Sequence, residues 1–199
     1  MAVPAVLVAA CSLASSSLAP ENQWPLPCQL ALEEGVDEIA RCASRDPSGE
    51  ITVDPAVVAA RVAAGTIYNP PPGTVYQVDV ESTRLFVLDS GKTAPRLRGY
   101  DTAFFDEGLV RTERSGKVGF LDENLVEVIS PAWDYAFPFK SGLAVVCNGC
   151  KTKVIVETTV KVGGLWGYID TQGQVVVPLI HSKGELPPRE QVRRDRSGL

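Results

Sequence analysis

Two cysteines separated by two residues are the sharpest chemical feature of the chain. Cys147 and Cys150 enclose Asn148 and Gly149 at the end of an apolar stretch that is typical of a strand. This spacing suits a redox dithiol, half of a zinc site or a small structural disulfide. Zinc requires four ligands, and a redox dithiol needs a helix N-terminus, whereas strand-like sequence surrounds this pair. We therefore predict a structural disulfide, with metal-binding or thiol-redox chemistry at Cys147 and Cys150 as the alternative function.

Cys28 and Cys42 form a second local pair. Each lies seven residues from Gly35 (35 − 28 and 42 − 35), and helix-forming residues fill 29–34 and 36–43. If Gly35 turns the chain between two antiparallel helices, the sulfur atoms meet at the open end, whereas one unbroken helix would hold them roughly 20 Å apart. We predict a Cys28–Cys42 disulfide in a small helical region spanning residues 21–66. Two local pairs favour an oxidising compartment over free buried thiols in the cytosol.

Residues 1–20 have the composition of an export signal. They carry no charge and consist mostly of small and apolar residues. Val8, Ala9 and Ala10 precede Cys11 and resemble the bacterial lipoprotein box, in which the cysteine is acylated after cleavage. We expect lipidation at Cys11 or, as the alternatives, simple cleavage or an uncleaved, disordered N-terminus. The expected location is the cell envelope, either periplasmic or lipid-anchored, with membrane contact only through the lipid.

The charge of the chain argues against nucleic acid as a partner. The 199 residues carry a formal net charge of −5, and phosphate neutralisation requires clustered Lys and Arg. The one basic cluster lies in residues 182–199, where acidic residues are interspersed, and we predict a polar disordered tail there. A protein or a component of the cell envelope is the expected partner.

No arrangement of side chains in the sequence indicates a catalytic site. His181 is the only histidine, and no serine or cysteine nucleophile lies in a recognisable elbow. Four aspartates could pair as acid and base, but each occupies a turn or strand edge, where backbone capping is the better explanation. These aspartates are Asp101, Asp122, Asp134 and Asp170. We predict neither catalytic residues nor a bound metal or cofactor, and hence no enzyme.

A helix, a linker and a long strand-rich segment follow the cysteine hairpin. Asp54 is a suitable N-cap, Pro55 suits the first helical position, and residues 56–64 form the predicted helix before Gly65. Residues 67–73 are rich in proline and predict a stiff linker. From 74 to 181 the sequence alternates in the manner of strands and ends its hydrophobic runs with turn residues.

The strand-rich segment contains internal repeats. Residues 163–178 read GGLWGYIDTQGQVVVP, and residues 117–131 read KVGFLDENLVEVISP. Gly108 and Gly142 lie in similar surroundings at an offset of 34 (142 − 108), whereas Gly119 and Gly167 have an offset of 48 (167 − 119). The difference of 14 (48 − 34) predicts an inserted hairpin in the last repeat, including an alternating strand from 154 to 162. A third, degraded repeat is predicted to start near residue 75.

The alternation of the last repeat predicts which side chains share a face. Trp166 and Tyr168 fall on one face of a strand, and Gly167 leaves a gap on the other. We predict that Phe137 or Phe139 lies across that gap. The following turn is predicted to open at Asp170 and to place Gly173 in the left-handed conformation, with Asn124 or Gly91 in that role in the earlier repeats.

These residues resemble the WG-repeat (KWG-type) proteins of bacteria. The resemblance covers roughly residues 75–181 and is strongest in the last repeat, because Val118 and Phe120 replace the Trp and Tyr in the middle one. It implies a mainly β fold, an antiparallel array of hairpin repeats beside the small helical N-terminal region, and a non-catalytic, envelope-associated binding or scaffolding role. The residues expected to define the repeats are Gly108, Gly119, Asp122, Gly142, Trp166, Gly167, Tyr168, Asp170 and Gly173.

Overall fold

A computed structural model describes residues 23–32, 35–64, 76–97, 105–155 and 158–198. The predicted export segment, Cys11, Asp101 and the proline-rich linker lie outside these residues. The described chain is mainly antiparallel β-sheet, which confirms the predicted fold class. None of its helices is long and apolar enough to cross a membrane.

The strands group into meanders of similar design. The N-terminal unit comprises β1 (Leu26–Leu32), β2 (Gly35–Arg45) and β3 (Ile51–Val53), followed by helix α1 (Pro55–Ala63). The first repeat comprises β4 (Tyr76–Val80), β5 (Thr83–Val87) and β6 (Thr93–Pro95). The middle repeat comprises β7 (Val110–Arg114), β8 (Lys117–Leu121) and β9 (Glu127–Trp133), and a short strand β10 (Tyr135–Ala136) follows it.

The last repeat carries an additional hairpin. Its three main strands are β11 (Leu143–Asn148), β14 (Leu165–Asp170) and β15 (Val175–His181). Between β11 and β14 the chain forms β12 (Lys151–Ile155) and β13 (Thr158–Val162), which pair with each other. The prediction of an inserted hairpin is therefore confirmed. The prediction of one continuous strand from 154 to 162 is wrong, because the chain reverses between β12 and β13.

The helices predicted for 29–34 and 36–43 are wrong, because residues 29–32 lie in β1 and residues 36–43 lie in β2. Strands β1 and β2 form an antiparallel hairpin that reverses next to Gly35. In β1, Cys28 and Leu30 point into the core while Gln29 is exposed, so burial follows the period of two expected of a half-buried strand. Tertiary burial thus overrides the helix propensity of the intervening residues. The predicted pairing of Cys28 with Cys42 holds, with Cα atoms 5.6 Å apart.

Helix α1 forms as its punctuation predicts. The side chain of Asp54 accepts a hydrogen bond from the backbone N–H of Ala56 at 2.9 Å, and Pro55 occupies the first turn. Val58 is wholly buried beside Val53 in the core of the N-terminal sheet. The helix is therefore attached to the sheet through its apolar face and through an ion pair between Arg61 and Asp37 of β2.

The N-terminal unit and the first repeat share one sheet. The strand order is β3-β2-β1-β4-β5-β6, so the two meanders join through their first strands. The two outer strands also meet, because Thr52 and Lys92 form an antiparallel bridge and the N–H of Val53 donates to the Gly91 carbonyl at 3.0 Å. The sheet therefore closes around an apolar interior that includes both cysteines of the first pair.

Successive repeats stack through equivalent side chains. Phe86 of the first repeat belongs to the same buried cluster as Leu121 of the middle repeat. Phe120 of the middle repeat, which corresponds to Phe86 at the offset of 34 (120 − 86), shares a cluster with Ile169 of the last repeat. Ile169 in turn corresponds to Leu121 at the offset of 48 (169 − 121). Each repeat thus covers the forward face of the one before it, which is the nearest-neighbour arrangement of a repeat protein.

The C-terminal segment covers the last repeat, and the prediction of a disordered tail in 182–199 is wrong. A 3-10 helix (Lys183–Glu185) and helix α2 (Arg189–Ser197) follow β15. Val192 of α2 is buried in one cluster with Trp166 and Tyr168. The offset of 48 relates Val192 to Ala144 of the last repeat (192 − 144). Ala144 packs with Phe120 in the interface between the middle and last repeats. Helix α2 therefore occupies the place of a further repeat and presents a polar outer surface, as terminal caps of repeat proteins do.

Candidate functional site

The two repeat glycines, Gly119 and Gly167, lie in the same surroundings. A Cβ atom on Gly119 would lie 2.4 Å from the Ile129 carbonyl oxygen, and one on Gly167 would lie 2.3 Å from that of Val177. The two carbonyl residues have the same offset of 48 (177 − 129). In both repeats the third strand bulges across the second, and only glycine permits that backbone approach.

Backbone, and not an aromatic ring, fills the space beside each glycine. The prediction that Phe137 or Phe139 crosses Gly167 is therefore wrong. Phe139 packs against Phe120 with ring centroids 4.7 Å apart, and Phe137 lies 6.2 Å from Trp166. The aromatics belong to the interfaces on the forward faces of the repeats, where stacking of neighbouring repeats needs large apolar side chains.

The repeated aspartates organise the turns. Oδ1 of Asp122 accepts the backbone N–H groups of Asn124 and Val126 at 2.9 and 2.8 Å. Oδ1 of Asp170 accepts those of Gln172 and Gln174 at 3.2 and 2.9 Å. These bonds confirm backbone capping as the role of both side chains.

The left-handed turn position is only partly as predicted. Gly173 and Gly91 adopt positive φ angles of 78° and 80°, in agreement with the prediction. In the middle repeat the residue with positive φ is Leu125, at 54°, and the choice of Asn124 is wrong. Leu125 is buried in the interface with the first repeat, so burial of its side chain offsets the strain of that conformation.

Tight glycine hairpins precede the middle and last repeats. Gly108 and Gly142 have φ angles of 77° and 75°, each after a residue that also has positive φ. Two positive φ angles in succession define the turn that matches the twist of an antiparallel pair. The predicted equivalence of Gly108 and Gly142 is therefore confirmed, and each hairpin closes through an antiparallel bridge.

The second cysteine pair lies at the neck of the inserted hairpin. The Cα atoms of Cys147 and Cys150 are 6.2 Å apart, at disulfide-bonding distance. Cys147 is wholly buried at the end of β11, and the turn between the cysteines lies against Gly164, where a Cβ would come within 2.4 Å of the Cys150 nitrogen. The pair closes the base of the hairpin and is surrounded by strand, without the helix N-terminus that activates a thiol.

Asp134 links this neck to the middle repeat. One carboxylate oxygen accepts the Gly149 N–H at 2.6 Å, and the other accepts Lys117 Nζ at 2.5 Å. The hydrogen bond from Lys117, followed by that from Gly149, holds the pKa of Asp134 below its ordinary value. The negative charge of Asp134 thus fixes the turn between the two cysteines.

The inserted hairpin itself projects into solvent. Every residue of β12 is exposed. Val154 is 69% exposed and the adjoining Leu165 52% exposed. Beyond the neck, Lys161 Nζ lies 4.7 Å from the centre of the Tyr135 ring and so holds the hairpin against the body. Within the hairpin the same ammonium group donates to Thr152 Oγ1 at 2.7 Å.

The remaining candidates for chemistry are separate from one another. His181 lies at the end of β15, half-buried and paired with Trp166 in the sheet. Among the residues that the structure describes, no three His, Cys, Asp or Glu side chains cluster in a way that could hold a metal ion. Four features lie together at the last repeat: the cysteine pair, the carboxylate of Asp134, the exposed hairpin and the aromatic cluster beneath α2.

The fold and its duplicated strand-turn geometry define a β-repeat protein. The WG containing repeat family matches residues 119–151 and 166–180. The first segment runs from within β8 to the start of β12, and the second covers most of β14 and β15. These segments are therefore WG repeats. No curated protein and no solved structure shows a significant match to the chain.

Sequence reasoning did not find the cap or the contact that steadies the hairpin. The offset of 48 could have indicated the cap, because it relates Phe139, which precedes the last repeat, to Pro187, which precedes α2 (187 − 139). Phe139 packs on Phe120, and the Pro187 carbonyl accepts the hydroxyl of Tyr168 at 3.1 Å. No local pattern indicates that Lys161 lies over the Tyr135 ring, because the pairing depends on how the hairpin leaves the sheet.

Proposed function

We propose that the protein is a non-catalytic binding or scaffolding protein whose recognition element is the inserted hairpin, β12–β13. The observation that carries this proposal is the exposure of apolar side chains on that hairpin, at Val154, Ile155 and Val162. Insertions within a repeat often provide a binding surface, because the repeat scaffold holds them without using them in its own core.

The middle repeat supports this assignment by comparison. It joins the equivalent strands β7 and β8 through Ser115 and Gly116 alone. In the last repeat, residues 149–164 form the same connection. Strands β11 and β14 nevertheless pair as β7 and β8 do, beginning with Asn148 opposite Leu165. The hairpin thus lies outside the shared strand pairing, and its solvent-exposed valine and isoleucine side chains favour contact with a partner.

The proposed setting is the bacterial cell envelope, with the protein either periplasmic or anchored by a lipid on Cys11. Two cysteine pairs at disulfide-bonding distance support an oxidising compartment. The proposed partner is a protein or another envelope component, and not nucleic acid, because the chain is acidic overall. Incorporation of labelled palmitate that is lost in Cys11→Ser would support the anchor.

A hairpin-less variant tests the proposal. Residues 149–164 are replaced by Ser-Gly, and Cys147→Ala removes the cysteine that would be left unpaired. Cross-linking in envelope extract should capture components with the parent chain that the variant fails to capture. Cys147→Ala with Cys150→Ala, which keeps the hairpin, serves as the control. Equal capture by the hairpin-less variant would contradict a recognition role for the hairpin.

Alkylation of unreduced protein separates this proposal from the alternative of metal or thiol-redox chemistry at Cys147 and Cys150. Full burial of Cys147 and the strand surroundings of the pair favour a structural disulfide. We expect no accessible thiol in the folded, processed chain. Two alkylated thiols accompanied by bound zinc would support the alternative.

A further inference from the structure

We propose that the hairpin β12–β13 binds an extended acidic segment of a partner protein. The segment is added as a further strand along the free edge of β12. This inference rests on the proposed function and specifies its partner. Strands β12 and β13 form a two-stranded sheet of their own. Within the described residues, no backbone hydrogen bond outside that pair involves either strand. Each outer edge therefore presents unpaired N–H and C=O groups to an incoming strand.

The two faces of the hairpin differ in charge and engagement. Thr152 and Lys161 are directly opposite one another, and Lys161 reaches back to the body over Tyr135. The other face carries Lys151 and Lys153, both exposed, opposite Val162 and Val160. Because residues two apart share a face, this face combines ammonium groups with the exposed apolar side chains of Ile155 and Val162.

The lysines determine which kind of strand can pair. Like charges directly opposite one another destabilise a sheet, so a second copy of the hairpin is disfavoured as the added strand. Carboxylates opposite Lys151 and Lys153 would instead form favourable cross-strand pairs. The complementary segment is therefore one in which acidic residues alternate with β-branched residues, so that Glu or Asp meets the lysines while Val or Thr extends the apolar surface.

The neck of the hairpin supports its use as a preformed template. The Cys147–Cys150 pair closes the base, and Asp134 accepts the N–H of Gly149 at 2.6 Å. Lys161 holds strand β13 to Tyr135. An isolated hairpin is only marginally stable in water, and these contacts reduce the ordering that a partner strand would otherwise have to induce.

The test measures fluorescence anisotropy of a labelled peptide in which Glu and Val alternate, titrated with the full processed chain in its oxidised form. We expect saturable binding that weakens as salt is added. Lys151→Glu with Lys153→Glu should weaken binding roughly tenfold and should favour a peptide in which Lys replaces Glu. Lys140→Glu with Arg194→Glu, which makes the same change in net charge at other exposed positions, should leave binding unchanged.

A second peptide isolates the backbone contribution without altering the protein. Methylation of alternate peptide nitrogens removes the backbone N–H donors on the edge of the peptide that faces the hairpin. If the peptide binds as an added strand, this change should abolish binding. Equal binding of the methylated peptide, equal loss in the control variant, or binding to phosphatidylglycerol vesicles in place of the peptide would each overturn strand addition. If the peptide fails to bind while the hairpin-less variant still loses its envelope partners, strand addition is wrong and the proposed function stands.

Discussion

The middle and last repeats share a backbone but differ in what surrounds it. Both place glycine beneath a bulged third strand and an aspartate at the following turn. The middle repeat is covered on both sides by neighbouring repeats, whereas the last repeat has a polar helix on its forward face and a hairpin between its first two strands. The scaffold is thus duplicated closely, and the differences concentrate where the array meets solvent or a partner.

The first repeat shows why the glycine recurs only in the other two. Leu85 takes the position that corresponds to Gly119 (119 − 34). Its neighbour β6 is only three residues long and pairs without a bulge, from Leu85 opposite Pro95 to Val87 opposite Thr93. Glycine is therefore required by the crossing of the third strand, and not by the turn or the stacking.

The largest effect is expected from filling the glycine sites. Gly119→Ala and Gly167→Ala each place a methyl group within 2.4 Å of a backbone carbonyl oxygen. Because backbone must move to relieve the overlap, each should lower the free energy of unfolding by about 2–4 kcal/mol. Chemical denaturation measures the loss, and Gly184→Ala, which would meet no atom within 4 Å, is the control. A large loss at one glycine and none at the other would break the equivalence of the two repeats.

The next largest effect is expected at the cap. Val192→Asp places a charge against Trp166 and Tyr168 and should lower the free energy of unfolding by about 2 kcal/mol, whereas Gln191→Asp on the exposed side should be nearly neutral. Burial raises the pKa of Tyr168, so detachment of α2 should lower that pKa towards the ordinary value. Ultraviolet titration of the phenol reports it. An unchanged tyrosine titration in Val192→Asp would show that α2 does not cover this face.

Asp122 and Asp170 should differ in how much they stabilise the fold, because only Asp170 also contacts helix α2. Asp122→Ala removes two hydrogen bonds to backbone N–H groups and should cost about 1 kcal/mol. Asp170→Ala also removes the partner of Arg196, whose guanidinium donates to Oδ2 at 3.0 Å, and should cost about 2 kcal/mol. Arg196→Gln should make the two alanine variants alike in thermal denaturation. A persisting difference would place the additional stability of the last turn elsewhere.

A smaller, pH-dependent effect is expected at the hairpin neck. The pKa of Asp134 is lowered in the folded chain, so its contribution to stability is present above the unfolded value of about 3.9 and is lost as pH falls through the lower folded value. The amide resonance of Gly149 should follow this titration, and Asp134→Asn should abolish the change. A midpoint above about 3.9 would contradict the direction of the shift.

Sequence reasoning predicted the repeats more reliably than the segments outside them. The offsets of the glycines predicted the equivalent turns and the inserted hairpin, because a repeated position constrains many residues at once. The bulge of the third strand was missed, because an aromatic ring was expected beside Gly167. In the N-terminal unit, strands β1 and β2 were missed because local helix propensity outweighed the short alternation of Cys28 and Leu30. Its turn at Asp46 nevertheless follows the repeat pattern, with Oδ1 accepting the N–H groups of Ser48 and Glu50 at 2.9 Å.

The C-terminal segment shows a different reason for failure. Its composition is highly polar, and such sequences are usually disordered when considered alone. Helix α2 is ordered by a surface that the preceding repeat supplies, through Val192 and the contact of Arg196 with Asp170. Local composition cannot reveal an acceptor face that exists only after the array has stacked.

Denaturant unfolding of the hairpin-less variant tests most directly whether the last repeat is the middle repeat with a separable arm. The variant replaces residues 149–164 with Ser-Gly, the connection that the middle repeat uses, and carries Cys147→Ala. Its reference is the full chain with Cys147→Ala and Cys150→Ala. We predict one cooperative transition with a free energy of unfolding within about 1 kcal/mol of that reference. Loss of the cooperative transition would show that the hairpin is part of the folded core and would contradict this account.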